Sequence, residues 1–455
     1  MLKKSMTIIM AALMIAAFAG CSSGNGDSSS QSASSSAQSS AVSVESTDSA
    51  ESAESTDTAS STDEGTASSA ESETASSDTA EFSPNANGKL DTTDLFSKRD
   101  LKQTPDTSDA KTIQASDNNT ETITEEGTYI LTGTASNFTV RVEADKQAKV
   151  QIVLQNVNIT NVSNPVIYVV SADKCFVTTA EGESTLSVTG QFTADGTTNT
   201  DAVIFSKDDI VLNGTGTLNI TSTNGNAVSG KDDIKVTGGT YNITCGAHAF
   251  EGKDSVSVYD GTFNIKAGKD GFHSENSDDD TKGQVYIYGG KFTIEAESDG
   301  FHAITVVQID GGEIEITARE GIEGTYIQIN GGNITINASD DGINASQKSK
   351  SFGTPTAEFT GGTTKITVGQ GDTDAVDANG DVIVSGGTID ITSTVSSFDY
   401  DGNATYTGGT IIINGTQVDS IPQSMMGGRG GMNGMGDMNG MGDMNGMGGR
   451  GGRMF

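Results

Sequence analysis

A repeated four-residue phrase constrains what this chain can fold into. Each copy has a carboxylate, a small residue, an apolar residue and a polar residue able to bind a ligand. The clearest copies are Asp270–His273, Asp299–His302, Glu320–Glu323, Asp341–Asn344 and Asp374–Asp377, and weaker copies begin at Asp201, Asn226, His248 and Ser396. Successive copies begin 21 to 33 residues apart. Self-similarity at this period indicates a repeat architecture.

The pattern inside each copy identifies the architecture. Segments such as Tyr241–Thr244 and Glu313–Thr317 alternate apolar and polar residues, which indicates strands with one buried face. Gly-Gly and Asp-Gly pairs mark the turns, and no window has a sustained helical period. The leucine framework of leucine-rich repeats is missing, and a propeller blade needs about twice the length. We therefore predict an all-β fold, a right-handed single-stranded parallel β-helix with about 22 residues per coil.

Stacking of such coils would place equivalent residues about 4.8 Å apart, the spacing of paired strands. The first position of the phrase then forms one column, and the fourth position forms a second. The predicted first column is Asp201, Asn226, His248, Asp270, Asp299, Glu320, Asp341 and Asp374, and the second is Glu251, His273, His302, Glu323, Asn344, Asp377 and Asp399. Carboxylates this close repel one another unless they are protonated or a cation lies between them.

Calcium is the cation that this donor set favours, because it takes six to eight oxygen ligands. The predicted calcium ligands are Glu251, Asp270, Asp299, Glu320, Glu323, Asp341, Asn344, Asp374, Asp377 and Asp399. The coils from Glu320 onward contain no histidine and suit calcium best. Two alternatives stay open: carboxylates satisfied by backbone amides without a metal, and zinc held by His273 and His302 with Asp270 and Asp299.

Composition divides the chain into five segments. Residues 1–21 resemble a bacterial lipoprotein signal peptide ending at Cys21, the expected lipidation site, although Phe18 stands where leucine is usual. Residues 22–89 form a Ser/Ala/Thr/acidic linker that we expect to be disordered. Residues 90–200 are predicted to form the first coils and an N-terminal cap, and residues 201–418 the main coils. Residues 419–455 are a Gly/Met-rich tail, interpreted as flexible, with Cu(I) binding as the alternative.

Three further features bear on function. The net charge of −35 argues against nucleic acid and anionic membrane surfaces as partners. Cys175 and Cys245 lie in strand-like contexts and are predicted to be buried hydrophobic residues. Insertions at 275–283 and 346–356 lengthen two coils, and we expect them to lie on one face.

Several long phrases resemble a known family. These are Glu125–Thr134, Val150–Asn161, Asp201–Ile210, Gly230–Ile243 and Gly252–Val256, and the similarity extends over roughly residues 113–415. They resemble the clostridial-type secreted β-helical carbohydrate-binding domain. The resemblance implies a fold like that of polysaccharide lyase family 9, calcium in the coils between Glu251 and Asp377, and binding of polygalacturonate, with cellulose also reported. His248, His273 and His302 depart from the family pattern.

The favoured function is a non-catalytic, calcium-binding surface protein that recognises acidic plant polysaccharide. A calcium bridge would be needed because the protein is itself acidic. We expect a monomer, exported and lipid-anchored to the outer face of the cell membrane, with the linker crossing the cell wall. Tyr241, Tyr259, Tyr286, Tyr288 and Tyr326 could add contacts to the sugar, and the absence of tryptophan argues against stacking on crystalline cellulose.

Two other functions remain as alternatives. A calcium-dependent pectate-type lyase would need a basic residue, and the candidates by position are Lys207, Lys231, Lys253, Lys269 and Arg319. A lysine beside carboxylates has its charged form favoured, which is the wrong direction for a base. The third hypothesis is a structural surface protein or adhesin in which calcium holds the coils together.

Overall fold

The computed structural model describes residues 82–371 and 373–423, and this part of the chain is all β. It contains 34 strands and no helix. Within the same residues no helix is long and apolar enough to cross a membrane. The lipidation site predicted at Cys21, most of the predicted linker and most of the Gly/Met-rich tail lie outside the described residues.

The strands are short and follow one another at turns. The first twelve are β1 (Lys111–Gln114), β2 (Asn119–Ile123), β3 (Gly127–Ser136), β4 (Phe138–Glu143), β5 (Lys149–Asn161), β6 (Ile167–Ser171), β7 (Lys174–Thr179), β8 (Glu183–Val188), β9 (Ala202–Ser206), β10 (Asp209–Gly214), β11 (Thr217–Ser222) and β12 (Asn226–Gly230). The next twelve are β13 (Asp233–Val236), β14 (Thr240–Cys245), β15 (Phe250–Gly252), β16 (Ser255–Val258), β17 (Thr262–Ala267), β18 (Phe272–Ser274), β19 (Gln284–Ile287), β20 (Lys291–Ala296), β21 (Asp299–Ile309), β22 (Glu313–Ala318), β23 (Glu320–Ile329) and β24 (Asn333–Ala338). The last ten are β25 (Ile343–Ala345), β26 (Thr356–Phe359), β27 (Thr363–Val368), β28 (Asp374–Ala378), β29 (Asp381–Val384), β30 (Thr388–Thr392), β31 (Ser396–Tyr400), β32 (Ala404–Tyr406), β33 (Thr410–Ile413) and β34 (Thr416–Val418).

These strands pair into three parallel ladders of one continuous sheet. Ladder 1 contains the second halves of β3 and β5, then β8, β11, β14, β17, β20, β22, β24, β27, β30 and β33. Ladder 2 contains β2, β4, β6, β9, β12, β15, β18, the first halves of β21 and β23, β25, β28 and β31. Ladder 3 contains β1, the first halves of β3 and β5, β7, β10, β13, β16, β19, the second halves of β21 and β23, β26, β29 and β32. Strand β34 turns back and pairs antiparallel with β33.

Because each strand pairs with its equivalent one repeat later, the chain forms a β-solenoid, as the repeat predicted. Strand β22 shows how the sequence builds it: every second residue is buried and the others are exposed. Buried aromatic rings stack in the same register, with the centroids of Phe250 and Phe272 4.9 Å apart and those of Phe263 and Phe292 4.6 Å apart. These distances match the spacing of paired strands, so the core is a set of side-chain stacks along the solenoid.

Residues 82–104, here called the strap, lie across ladder 3. The ring of Phe82 lies 5.1 Å from Tyr288, and that of Phe96 lies 5.6 Å from Tyr259. The backbone N–H of Lys89 donates to Gln328 Oε1 at 2.7 Å. The start of the folded region is therefore earlier than the predicted boundary at residue 90, and residues 90–104 lie along the side of the solenoid.

The interpretation of the tyrosines as sugar contacts is corrected for two reasons. Tyr241 lies in the solenoid core, where its ring stacks on Phe263, and Tyr286 is 1% exposed. Tyr259 and Tyr288 pack against the strap, and the ring of Tyr326 lies 3.9 Å from Lys89 Nζ. For these tyrosines of ladder 3, the strap has no strand period, so nothing in its sequence showed that its apolar residues would cover them.

The two insertions meet at the corner between ladders 2 and 3. Ser349 Oγ donates to the backbone oxygen of Asp280 at 2.6 Å, and Ser351 Oγ donates to Asp280 Oδ1 at 2.7 Å. Lys348 and Ser349 also donate backbone N–H groups to Thr325 Oγ1. The expectation that the insertions lie on one face is confirmed, and together they border the polar columns of ladder 2.

Candidate functional site

Two columns of polar side chains run along ladder 2. The backbone register pairs Asp299 with Glu320 and Asp374 with Ser396 in column 1, the first position of the repeated phrase. In column 2, the fourth position, the paired residues run Ser229, Glu251, His273, His302, Glu323, Asn344, Asp377 and Asp399. The predicted stacking is confirmed, except that the weak copy at Asp201 is one residue out of step: Ser229 pairs with Phe205.

The small residue of the phrase lets successive coils approach closely. A Cβ atom at Gly300 would lie 2.6 Å from the backbone oxygen of Gly321 and 2.6 Å from Ile316 Cγ2. One coil further on, a Cβ at Gly321 would lie 2.4 Å from the oxygen of Gly342. Real Cβ contacts are longer, so these positions require glycine or a shift of the coil. Close approach of the coils brings successive residues of each column near one another.

A histidine section occupies the middle of the columns and comprises His248, Asp270, His273, Asp299 and His302. The Nδ1 atoms of His248 and His273 lie 3.1 and 2.7 Å from the same atom, Asp270 Oδ2. His302 Nδ1 lies 3.0 Å from Asp299 Oδ2. Neighbouring imidazole rings stack, with centroids 4.3 and 4.7 Å apart. All three histidines of the chain are in this section.

Charges in the histidine section compensate one another. Burial opposes ionisation of Asp270, but hydrogen bonds with His248 and His273 lower its pKa. Burial likewise disfavours the charged form of His302, but hydrogen bonds with Asp299 and Glu323 raise its pKa to about 10. Burial alone would raise the pKa of Glu323, but contacts with His302 and Lys348 lower it to about 2. His302 is therefore a cation at neutral pH, and it lies between two carboxylates.

Arginine and lysine add to this compensation. Arg319 pairs with Glu320, with Asp299 Oδ1 at 3.3 Å and with Asp340 Oδ2 at 3.0 Å. Lys348 Nζ, from the second insertion, lies 2.6 Å from Glu323 Oε1. Calcium at Asp270, Asp299, Glu320 and Glu323 stays a prediction, since an ion there would have to replace these partners. The same holds for Glu251, which accepts hydrogen bonds from Asn226 and Ser229.

The acidic section, Asp341, Asn344, Asp374, Asp377 and Asp399, follows toward the C-terminus. Within the described residues no lysine, arginine or histidine forms an ion pair within 4.0 Å of Asp341, Asp377 or Asp399. Burial raises the pKa of Asp341 to about 7, and the neighbouring carboxylates of Asp374 and Glu320 add to the shift. Burial and the carboxylates around it also raise the pKa of Asp377 to about 7. Among the described residues, negative charge is thus crowded around Asp341, Asp377 and Asp399 without an ion pair to a protein cation.

Asn344 adds a neutral oxygen to the acidic section. Its Nδ2 donates to Glu320 Oε2 at 3.0 Å, whereas its Oδ1 is buried and accepts no hydrogen bond from the residues that the structure describes. A buried oxygen without a donor is costly unless an ion or water meets it. Carboxylates and amide oxygens are the ligands that calcium prefers. The residue types of this section therefore suit the predicted ion.

The alternative without a metal, in which backbone amides satisfy the carboxylates, accounts for part of column 1. Asp270 Oδ1 accepts the backbone N–H of Asp299 at 3.0 Å, and Asp341 Oδ1 accepts that of Asp374 at 2.8 Å. Each carboxylate thus uses one oxygen to hold the next coil. The second oxygen of Asp270 contacts His248 and His273. The hydrogen bond between Asp341 and the backbone does not neutralise the negative charge crowded around Asp341.

Three of the candidate bases for a lyase, Lys231, Lys253 and Arg319, lie beside acidic partners. Lys253 Nζ lies 2.5 Å from Asp278 Oδ2, and Lys231 Nζ lies 3.9 Å from Glu251 Oε2. Burial would lower the pKa of Arg319, but the carboxylates around it raise that pKa, which disfavours proton abstraction by Arg319.

A cleft of about 360 Å³ opens beside the histidine section. Its walls include Lys231, Glu251, Lys253, His273 and Glu275. Sequence reasoning did not identify this cleft, because it forms where the first insertion turns over column 2. The sequence signal available for the cleft was the spacing of Lys231 and Lys253. Each follows one of two paired glycines, Gly230 and Gly252, in successive coils.

Two other features lie away from the columns. Cys175 and Cys245 are free and buried, as predicted, and burial raises the pKa of each thiol to about 12. Asp209, Asp232 and Asp233 form an acidic group on ladder 3 that sequence reasoning missed. Burial, with help from the neighbouring Asp254, raises the pKa of Asp232 to about 6.

Comparisons with known proteins agree on a family. Residues 117–375, more than half of the chain, match the family model described as "carbohydrate-binding domain-containing protein". A protein of that name from Acetivibrio thermocellus is 34% identical over 127 residues, which cover 27% of this chain and 43% of the relative. The match therefore spans less than half of the relative's length.

A solved structure is also similar. It is the polysaccharide lyase-like protein from C. thermocellum, determined as a gadolinium derivative, with 25% sequence identity and a TM-score of 0.42. The alignment covers 50% of this chain and 93% of that one. On the match of the family model, the chain belongs to the family of carbohydrate-binding domain-containing proteins.

Proposed function

We propose that this protein binds acidic polysaccharide at the cell surface through calcium held in the acidic section. The observation that carries the proposal is the crowding of Asp341, Asp374 and Asp399 around Asp377, which pairs with Asn344 in column 2. The raised pKa values of Asp341 and Asp377 report the unfavourable charge that a cation would relieve. The bound ion would be held by oxygen ligands from two or three successive coils.

Calcium would also supply the contact to the sugar. A net charge of −35 repels a polyuronate, so direct binding would be opposed at long range. An ion held by the protein can accept further oxygen ligands, and a uronate carboxylate is a suitable one. We infer that polygalacturonate-like polymers are the ligand class and that the neutral polymer cellulose is the weaker candidate.

The proposed protein is a binder rather than an enzyme. Among the candidate bases, Arg319 has a pKa raised by the carboxylates around it, which opposes its action as a base. Lys231 and Lys253 are held in ion pairs with carboxylates. We further propose a right-handed coil, the hand that parallel strand crossovers adopt almost without exception. Export, lipid attachment at Cys21 and a linker through the cell wall complete the proposal.

Calorimetric titration of polygalacturonate into the full mature chain tests this function, first with calcium and then with EDTA. Binding that requires calcium is the expected result. The variant Asp341→Asn/Asp377→Asn should lose calcium and polymer binding while it stays folded. The matched control is Asp209→Asn/Asp233→Asn, which removes two carboxylates from ladder 3 and should bind as the unmodified protein does.

Three other outcomes would contradict the proposal in distinguishable ways. Unsaturated uronate products, detected by ultraviolet absorbance, would identify a calcium-dependent lyase. A melting temperature that falls in EDTA, without polymer binding in either condition, would leave calcium as a structural ion. Polymer binding that persists in EDTA would remove calcium from the contact.

A further inference from the structure

We propose a second metal site, specific for zinc-class ions, at His248, Asp270 and His273. One donor atom from each of these side chains lies within 4.8 Å of the others. Both Nδ1 atoms are directed at Asp270 Oδ2, at 3.1 and 2.7 Å. A tetrahedral ion with bonds of about 2.0–2.1 Å separates its ligands by roughly 3.4 Å. Small side-chain movements would therefore close this group around an ion.

The donor chemistry separates this site from the acidic section. Two imidazole nitrogens and one carboxylate are the ligand set of many zinc sites, and imidazole also suits nickel, copper and cobalt. Calcium requires six to eight oxygens and gains little from nitrogen. The site would thus hold a different ion from the one proposed at Asp341 to Asp399, and it does not depend on calcium binding there.

The three side chains are held in place without a metal. The exposed fractions of the His248, Asp270 and His273 side chains are 9%, 5% and 13%. The two imidazole rings pack at an angle of 33° with centroids 4.3 Å apart, and Asp270 Oδ1 accepts the backbone N–H of Asp299. Ligands that are ordered before binding lose little entropy when the ion arrives.

The cleft lies at the other nitrogen of the His273 ring. Glu275, which lines it, has its Oε2 3.6 Å from His273 Nε2. A hydrogen bond at Nε2 would hold the ring with Nδ1 facing the ion. Three protein ligands leave at least one position of a tetrahedral ion for water. His302 is not proposed as a ligand, because it is engaged by Asp299 and Glu323.

Zinc binding to the full, untagged chain tests the proposal after chelator treatment. We expect one zinc ion per chain by calorimetry, and binding that persists in millimolar calcium. His248→Gln and His273→Gln should each weaken zinc binding at least about tenfold. His302→Gln is the matched control and should change the zinc affinity by less than about threefold.

X-ray absorption at the zinc edge supplies a readout that needs no variant. Because the chain has three histidines in total, any imidazole scattering must come from the histidine section. A spectrum fitted by two imidazoles is expected. A first shell of oxygen alone, or zinc binding undiminished in both His248→Gln and His273→Gln, would overturn the proposal. A loss confined to His302→Gln would also overturn it.

Discussion

The imidazole of His302 bridges two carboxylates of successive coils. Its Nδ1 atom lies 3.0 Å from Asp299 Oδ2 and 2.9 Å from Glu323 Oε2. The imidazole thus occupies the place where stacked carboxylates led us to expect a metal ion, and the two carboxylates raise its pKa to about 10. Among the described residues, no side-chain cation pairs in this way with Asp341, Asp377 or Asp399.

Removing this cation should destabilise the protein. In His302→Gln the carboxylates of Asp299 and Glu323 would face each other without the charge between them. We expect the free energy of unfolding at neutral pH to fall by about 3 kcal/mol. Denaturant unfolding measures the change. Lys291→Gln, which breaks an exposed pair with Glu313 on ladder 1, is the control and should be neutral within error. Equal stability of both variants would argue that His302 is uncharged.

The metal-free protein should become less stable as pH rises from about 5.5 to about 8. Asp341 and Asp377 have pKa values near 7, above those of an unfolded chain. The folded state therefore binds more protons than the unfolded state between about pH 4 and pH 7, and stability falls as those protons leave. His302 acts in the same direction above about pH 6.5, because its pKa is also raised in the folded state.

Thermal unfolding in EDTA checks this pH dependence. We expect a melting temperature roughly 3–6 °C higher at the acidic end of the range. The variant Asp341→Asn/Asp377→Asn should reduce the difference, since its two amides do not titrate. A melting temperature that rises with pH in EDTA would contradict the crowding of carboxylates in the acidic section.

Enlarging the glycine of the repeated phrase should separate the coils. In Gly321→Ala the new Cβ would lie 2.4 Å from the backbone oxygen of Gly342. We expect the free energy of unfolding to fall by about 1–3 kcal/mol. Gly369→Ala is the matched control, because a Cβ there has its nearest neighbour at 3.5 Å. Chemical denaturation of both variants measures the difference. Tolerance of the Gly321 change would show that the coils can move apart freely.

Loosening the strap should expose ladder 3. Phe96 is 5% exposed and packs against Tyr259 and Tyr286. Phe96→Ala should therefore lower the free energy of unfolding by about 2–3 kcal/mol. It should also make residues 82–104 sensitive to protease. Val162→Ala, at a position that is 55% exposed, should change neither property. Limited proteolysis followed by mass spectrometry locates the cleavage. Protection equal to that of the unmodified chain would mean that the strap is held by its hydrogen bonds alone.

Strand alternation and a fixed period are local properties, so the sequence alone predicted the repeat, the β-solenoid and the two columns. It also identified the residues of the acidic section and the position of Arg319 beside the columns. The balance of charge depends on tertiary contacts as well. Lys348 reaches Glu323 from the second insertion, and no spacing in the sequence predicts that contact.

Tertiary structure likewise decided which surfaces are available. The tyrosines of ladder 3 have the same pattern as exposed strand residues, yet the strap covers them, and a segment without periodicity gives no sign of where it will pack. Period and residue type fixed the order of side chains along the solenoid. Contacts between distant segments determined which of those side chains are neutralised, which are buried and which remain free to bind.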